Sequence, residues 1–165
     1  MMKIRLLAVI TAFMFILTAA GAAFCETPPS SWKPPEPGTL AYYMYISKQL
    51  AKDSVKAEDE RKALDVKIKP LVKLAEKQKQ KNKIKLEKVK EYDKKVGKLL
   101  AEAAELYKAK TEAYDKFSKV AVLNDPNNDD MEKVLINAVI DIQKERLKKL
   151  KEALSLRQQE LKTLS

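Results

Sequence analysis

Hydrophobic positions recur every three and four residues over most of the chain, the spacing that lays apolar side chains along one side of a helix. Val89, Tyr92, Val96, Leu99, Ala103, Leu106, Lys110, Ala113, Phe117 and Val120 fall on successive a and d positions of a heptad, and only Lys110 among them is charged. A second heptad runs through Ile136, Ile140, Gln143, Leu147, Leu150, Leu154, Arg157, Leu161 and Leu164. Between the two, Asn124 to Asp130 is a run of turn formers, with Asp129 placed to cap the next helix and Glu132 three residues on, as in a capping box. These acids do not spell a calcium loop: counted from Asp125, the position that needs Gly holds Asp130 and the position that needs Glu holds Ile136. The pattern predicts an antiparallel coiled-coil hairpin of about 86–122 with 130–164.

Folding the hairpin about that turn sets Phe117 opposite Ile136, Ala113 opposite Ile140, Leu106 opposite Leu147 and Ala103 opposite Leu150. The same register sets Lys110 opposite Gln143, a polar layer of the kind that fixes alignment. Two helices do not use all the apolar surface. Leu86, Leu100, Tyr107, Tyr114 and Ala121 widen the first stripe, and residues 134–142 are apolar almost all round. Leu40, Tyr43, Leu50, Ala57, Leu64, Ile68 and Leu71 keep the heptad phase and supply a third helix. If the chain turns back within 77–85, Tyr42, Tyr43, Met44 and Tyr45 meet Leu135, Val139 and Ile142, and the fold is an all-α three-helix bundle. The alternative is one long helix over 40–122, kinked at Pro70, with an uncovered stripe that requires self-association; residues 77–85 hold neither Gly nor Pro. The Tyr42 to Tyr45 and Leu135, Val139, Ile142 face is therefore a candidate either for the third helix or for a hydrophobic partner.

Composition narrows the chemistry. The 165 residues include no His and a single Cys, which removes the commonest general base, any internal disulfide and any thiolate metal site. The expectation is a non-enzymatic chain without metal or cofactor, long enough for one domain. Residues 1–25 read as a signal peptide: Lys3 and Arg5 precede an apolar core from Leu6 to Leu17, and a small-residue stretch ends at Ala23. Cleavage there sends the remainder to the periplasm or beyond. Lipidation at Cys25, or retention of residues 6–24 as an inner-membrane anchor, are the alternatives. Residues 26–39 form a Pro-rich linker in which Trp32 is expected to rest on the folded part, and 40–165 form the helical domain.

Charge marks the candidate site. The chain has a formal net charge of +10, and residues 67–98 alone contain 13 Lys against four acids. Lys77, Lys79, Lys81, Lys83 and Lys85, with Lys88 and Lys90, are the candidate residues for an anionic partner: lipid head groups, an anionic envelope polymer or an acidic envelope protein. The bland reading of the same run is a solvated stretch. Like charges four apart weaken a helix here. Nucleic acid is the weakest candidate, because the run has no Arg and Tyr92 is its sole aromatic. A second copy of the chain is a further candidate partner.

These features together describe an exported binding or adaptor protein of a bacterial-type cell envelope, acting through coiled-coil faces and its Lys-rich segment; a component of a secretion apparatus is one alternative. The export signal, a pI near 9.5 and the long hairpin also resemble the periplasmic Skp chaperones, which hold unfolded outer-membrane proteins between helical arms. That resemblance is of architecture and carries no motif; it implies a holding chaperone as the other alternative. Skp chaperones build a trimerising body from strands at both ends, whereas residues 130–165 here read as helix throughout.

Overall fold

A computed structural model describes residues 33–123 and 128–165 and folds them into three long helices, α1 (Leu40–Lys77), α2 (Lys83–Ala121) and α3 (Asp129–Leu164). Residues 1–32, which include the expected signal peptide and Trp32, and residues 124–127 lie outside the described residues. Thr39 starts α1: its hydroxyl accepts from the Tyr42 N–H at 3.2 Å and donates to the Glu36 carbonyl at 2.7 Å. Gly38, at φ +86°, brings the chain into that cap. Pro70 lies within α1, and the helix continues past it to Lys77.

Residues 78–82 then reverse the chain, so the three-helix bundle forms and the single helix over 40–122 does not. The turn is stitched to the end of α1. The Gln78 N–H and the Asn82 Nδ2 both donate to the Ala75 carbonyl, at 3.1 and 3.4 Å, while the N–H groups of Lys81 and Asn82 donate to the Gln78 carbonyl. Gln78 and Asn82 sit at φ −116° and −107°, so the flanks of the reversal call for no glycine.

α3 starts one residue earlier in its turn than the capping-box reading expects. Asn128 is the N-cap, without a side-chain capping bond, and Asp129 is already helical, so it cannot cap. Asp129, Asp130 and Glu132 instead place three carboxylates in the first turn, at the positive end of the helix dipole.

α3 is the shared element: it packs along both other helices, antiparallel to α2 and parallel to α1, whereas α1 and α2 touch only sparsely. Every a and d residue of the α2 stripe is buried or half-buried. Near one end Phe117, Ile136 and Val139 form a buried cluster, covered by Leu40, Tyr43, Ala113 and Leu135. Further along, Ala57, Ala103, Leu147 and Leu150 form a second, flanked by Leu50 and Leu100. The expected partners Phe117 and Ile136 thus share one cluster, and Ala103 and Leu150 the other.

The polar layer is built differently from the expectation. Gln143 takes its hydrogen bond from α1, where the Ser47 hydroxyl donates to its Oε1 at 2.8 Å. The Lys110 ammonium lies 5.4 Å from the Tyr107 ring centre and 5.8 Å from that of Tyr114. A four-carbon stem lets that charge leave the seam. Burial, with the nearby Arg146 charge as the lesser cause, still lowers the Lys110 pKa.

Candidate anion-binding site

The first turn of the bundle gathers the Lys-rich segment at one end. Lys77 closes α1, Lys79 and Lys81 sit in the reversal, and Lys83, Lys85, Lys88 and Lys90 occupy the first turns of α2. All seven side chains are exposed. None of them makes an ion pair among the described residues, although Glu76, Glu87 and Glu91 are close in sequence. Of the 13 Lys between 67 and 98, only Lys98 is paired, to Glu102 at 3.9 Å. Elsewhere Lys62, Lys108, Lys119, Lys133, Lys144 and Lys149 each have a carboxylate within 4 Å. Lys149 shows the difference: its hydrogen bond with Glu102 at 2.9 Å raises the ammonium pKa and lowers that of the carboxyl.

The helix ends add to this field. α2 begins at the tip with no acid in its first turn and no side-chain cap on Asn82, which leaves its positive dipole end uncompensated. Lys77 sits in the last turn of α1, where it offsets the negative end of that helix. Like-charge repulsion at i, i+4 spacing also gives a reason for the reversal to fall here rather than elsewhere, since turning splays lysines that a continuous helix would stack. Fixed positive charge without internal partners attracts polyanions.

The second set of candidate residues goes mostly inside. Tyr43 and Leu135 pack on the cluster that contains buried Val139, the Tyr42 ring stands edge-on to Tyr43 at 5.8 Å, and Tyr45 and Ile142 are half-buried. Met44 alone of the set is exposed. α1 is the helix that covers this face.

Apart from Val139, already placed on the third-helix face, sequence reasoning missed a buried row of α3 at seven-residue spacing: Glu132, Val139, Arg146, Ala153 and Glu160, four buried and Arg146 half-buried. Three of the five carry charge, so the row reads as solvated until its partners are seen. Arg146 pairs with Glu58 of α1, its guanidinium 5.1 Å from the Tyr107 ring centre on α2. Arg157 joins all three helices: its Nε is 2.8 Å from Asp65 on α1, its Nη1 is 2.5 Å from Asp93 on α2, and it also pairs with Glu160. Asp65 is in turn held by Arg61 at 2.5 Å. Glu160 is only 1% exposed, and its Oε1 has no hydrogen-bond partner among the described residues. Burial outweighs the Arg157 charge and raises the Glu160 pKa, whereas burial of Arg157 is outweighed by Asp93, Glu160 and Asp65, which raise its pKa. This cluster joins the three helices.

Among the described residues no group of three or more Cys, Asp or Glu is arranged to hold a metal, and no helix is long and apolar enough to cross a membrane. No family model matches the chain, and no curated protein or solved structure matches it either.

Proposed function

We propose that the chain is an exported, non-enzymatic binding protein of a bacterial-type cell envelope, in which the bundle holds a Lys-rich tip toward an anionic partner. The observation that carries this reading is a local excess of charge without internal counterions: seven exposed lysines at one end of the bundle make no ion pair among the described residues, and of the 13 lysines between 67 and 98 only Lys98 does, against six of the 15 described lysines outside that segment. Charge left unpaired on a rigid scaffold is available to a partner without first breaking contacts within the fold.

Two variants of equal net charge test it on polyglutamate resin. Changing Lys77, Lys79, Lys81, Lys83 and Lys85 to Gln should bring elution to markedly lower salt and weaken retention by tenfold or more. Changing the exposed and unpaired Lys48, Lys52, Lys56, Lys116 and Lys148 to Gln should do far less. The contrast should be sharpest at low salt, since the Debye length falls from ~10 Å at 0.1 M to ~3 Å at 1 M. Equal elution of the two variants would return the tip to a solvated stretch. Export is tested separately: N-terminal sequencing from the native host should find a chain beginning between Ala23 and Glu26. A chain starting at Met1 and held in the membrane would replace secretion with anchoring by residues 6–24.

A further inference from the structure

The basic tip also bears exposed aliphatic side chains. Leu74, in the last turn of α1, is 60% exposed, and Ile84, in the first turn of α2, is 72% exposed. Leu74, Gln78, Asn82 and Lys85 line one shallow groove beside the reversal, so apolar and cationic groups share the same surface. Large aliphatic groups among unpaired cations are costly to leave in water and gain nothing from an acidic protein surface, which offers them carboxylates. Anionic lipid satisfies both kinds of group: phosphates meet the ammonium groups and the acyl boundary takes the aliphatic ones.

The choice of cation agrees. Every basic residue from 67 to 98 is Lys. An ammonium on a long flexible stem follows a diffuse, fluid array of charge, whereas discrete carboxylates are better met by the two-pronged guanidinium. The uncompensated start of α2 adds N–H groups for headgroup oxygens.

We propose that the tip docks on a bilayer containing anionic phospholipid, with Ile84 and Leu74 entering the boundary between headgroups and acyl chains while the lysines hold the phosphates. This proposal rests on the reading of the tip as an anion-binding site and names its partner. The test uses the full chain with vesicles of phosphatidylcholine alone, or mixed with phosphatidylglycerol, the former measuring any binding through residues 6–24. In an Ile84→Trp, Trp32→Phe variant, emission should move to shorter wavelength on mixed vesicles only, and brominated phosphatidylglycerol should quench it. Replacing Ile84 and Leu74 together with Ser should weaken binding to mixed vesicles about tenfold at unchanged helix content, as expected for losing partial burial of two aliphatic side chains.

The outcomes separate the two levels. Binding to mixed vesicles that depends on the tip lysines but leaves the Ile84→Trp emission unmoved overturns insertion and keeps the anion site. No preference for mixed vesicles, alongside tip-dependent retention on polyglutamate, overturns the lipid and makes the partner an acidic protein or polymer. If the five-Gln tip variant elutes with its charge-matched control, the anion site itself falls, and the lipid proposal with it.

Discussion

Phe117→Ala should lower the free energy of unfolding by about 3–5 kcal/mol, the range for truncating a well-buried aromatic to a methyl group. Phe117 is 3% exposed and packs against Ile136 and Val139 of α3, with its ring 5.7 Å from that of Tyr114. Leu40 and Tyr43 of α1 cover the same cluster, so the cavity would open where all three helices meet. Ile136 and Val139 are anchored on a helix held from both sides, which limits how far they can collapse into the space. Small domains have only about 5–15 kcal/mol to lose, so the variant should be close to half-unfolded in modest denaturant. Urea titration should show a lower midpoint with an unchanged slope. Val66→Ala, at a position 75% exposed, should stay within about 0.5 kcal/mol. A Phe117→Ala loss as small as that of Val66→Ala would mean that α2 and α3 do not meet in this register.

Arg157→Met should be about as damaging, at about 3–5 kcal/mol, because it strands a buried charge. The Arg157 side chain is 14% exposed and serves three carboxylates, but their fates on its removal differ. Asp65 keeps Arg61, and Asp93, 55% exposed at its side chain, is satisfied by water. Glu160 keeps neither. Most of the loss should therefore be relieved by adding Glu160→Leu, and a double mutant no more stable than Arg157→Met would rule out this division of roles. The pH dependence has a matching sign. The Glu160 pKa is raised in the folded protein, first by burial, with Asp93 and Asp65 as further causes, so its contribution to stability is full below the ordinary glutamate value. That contribution is lost as pH rises through the folded value. Arg157→Met should steepen this loss, because the opposing Arg157 charge is gone, and Glu160→Leu should abolish it.

The two helices of the hairpin were legible because their seams are apolar at the spacing a helix requires, and the burial of Val89, Val96, Ala103 and Phe117 follows that spacing. The place of α1 was legible only by elimination. Its seam contains Ser47, Ser54 and Arg61, which read as solvent-facing until each finds a partner: Ser47 bonds Gln143, Ser54 donates to the Leu50 carbonyl at 2.8 Å, and Arg61 pairs with Asp65. Residues 78–82 contain Asn82 as their single turn former, with neither Gly nor Pro, and the Asn82 bond to Ala75 that secures them spans seven positions, beyond any local propensity. At the tip the lysines could be counted from the sequence, but their lack of counterions could not. Glu87 stands four residues from Lys83 and from Glu91, and spacing alone would assign it to the lysine.

The position of the reversal also sets a length. α1 has 38 residues, so at 1.5 Å per residue its first residue, Leu40, stands ~57 Å from the lysines at its far end. Whatever precedes Leu40 enters the bundle at the end opposite the tip. A bundle held through that end would be a strut, carrying its cationic group across a gap of fixed width, with the core packing that resists bending deciding how much that reach varies.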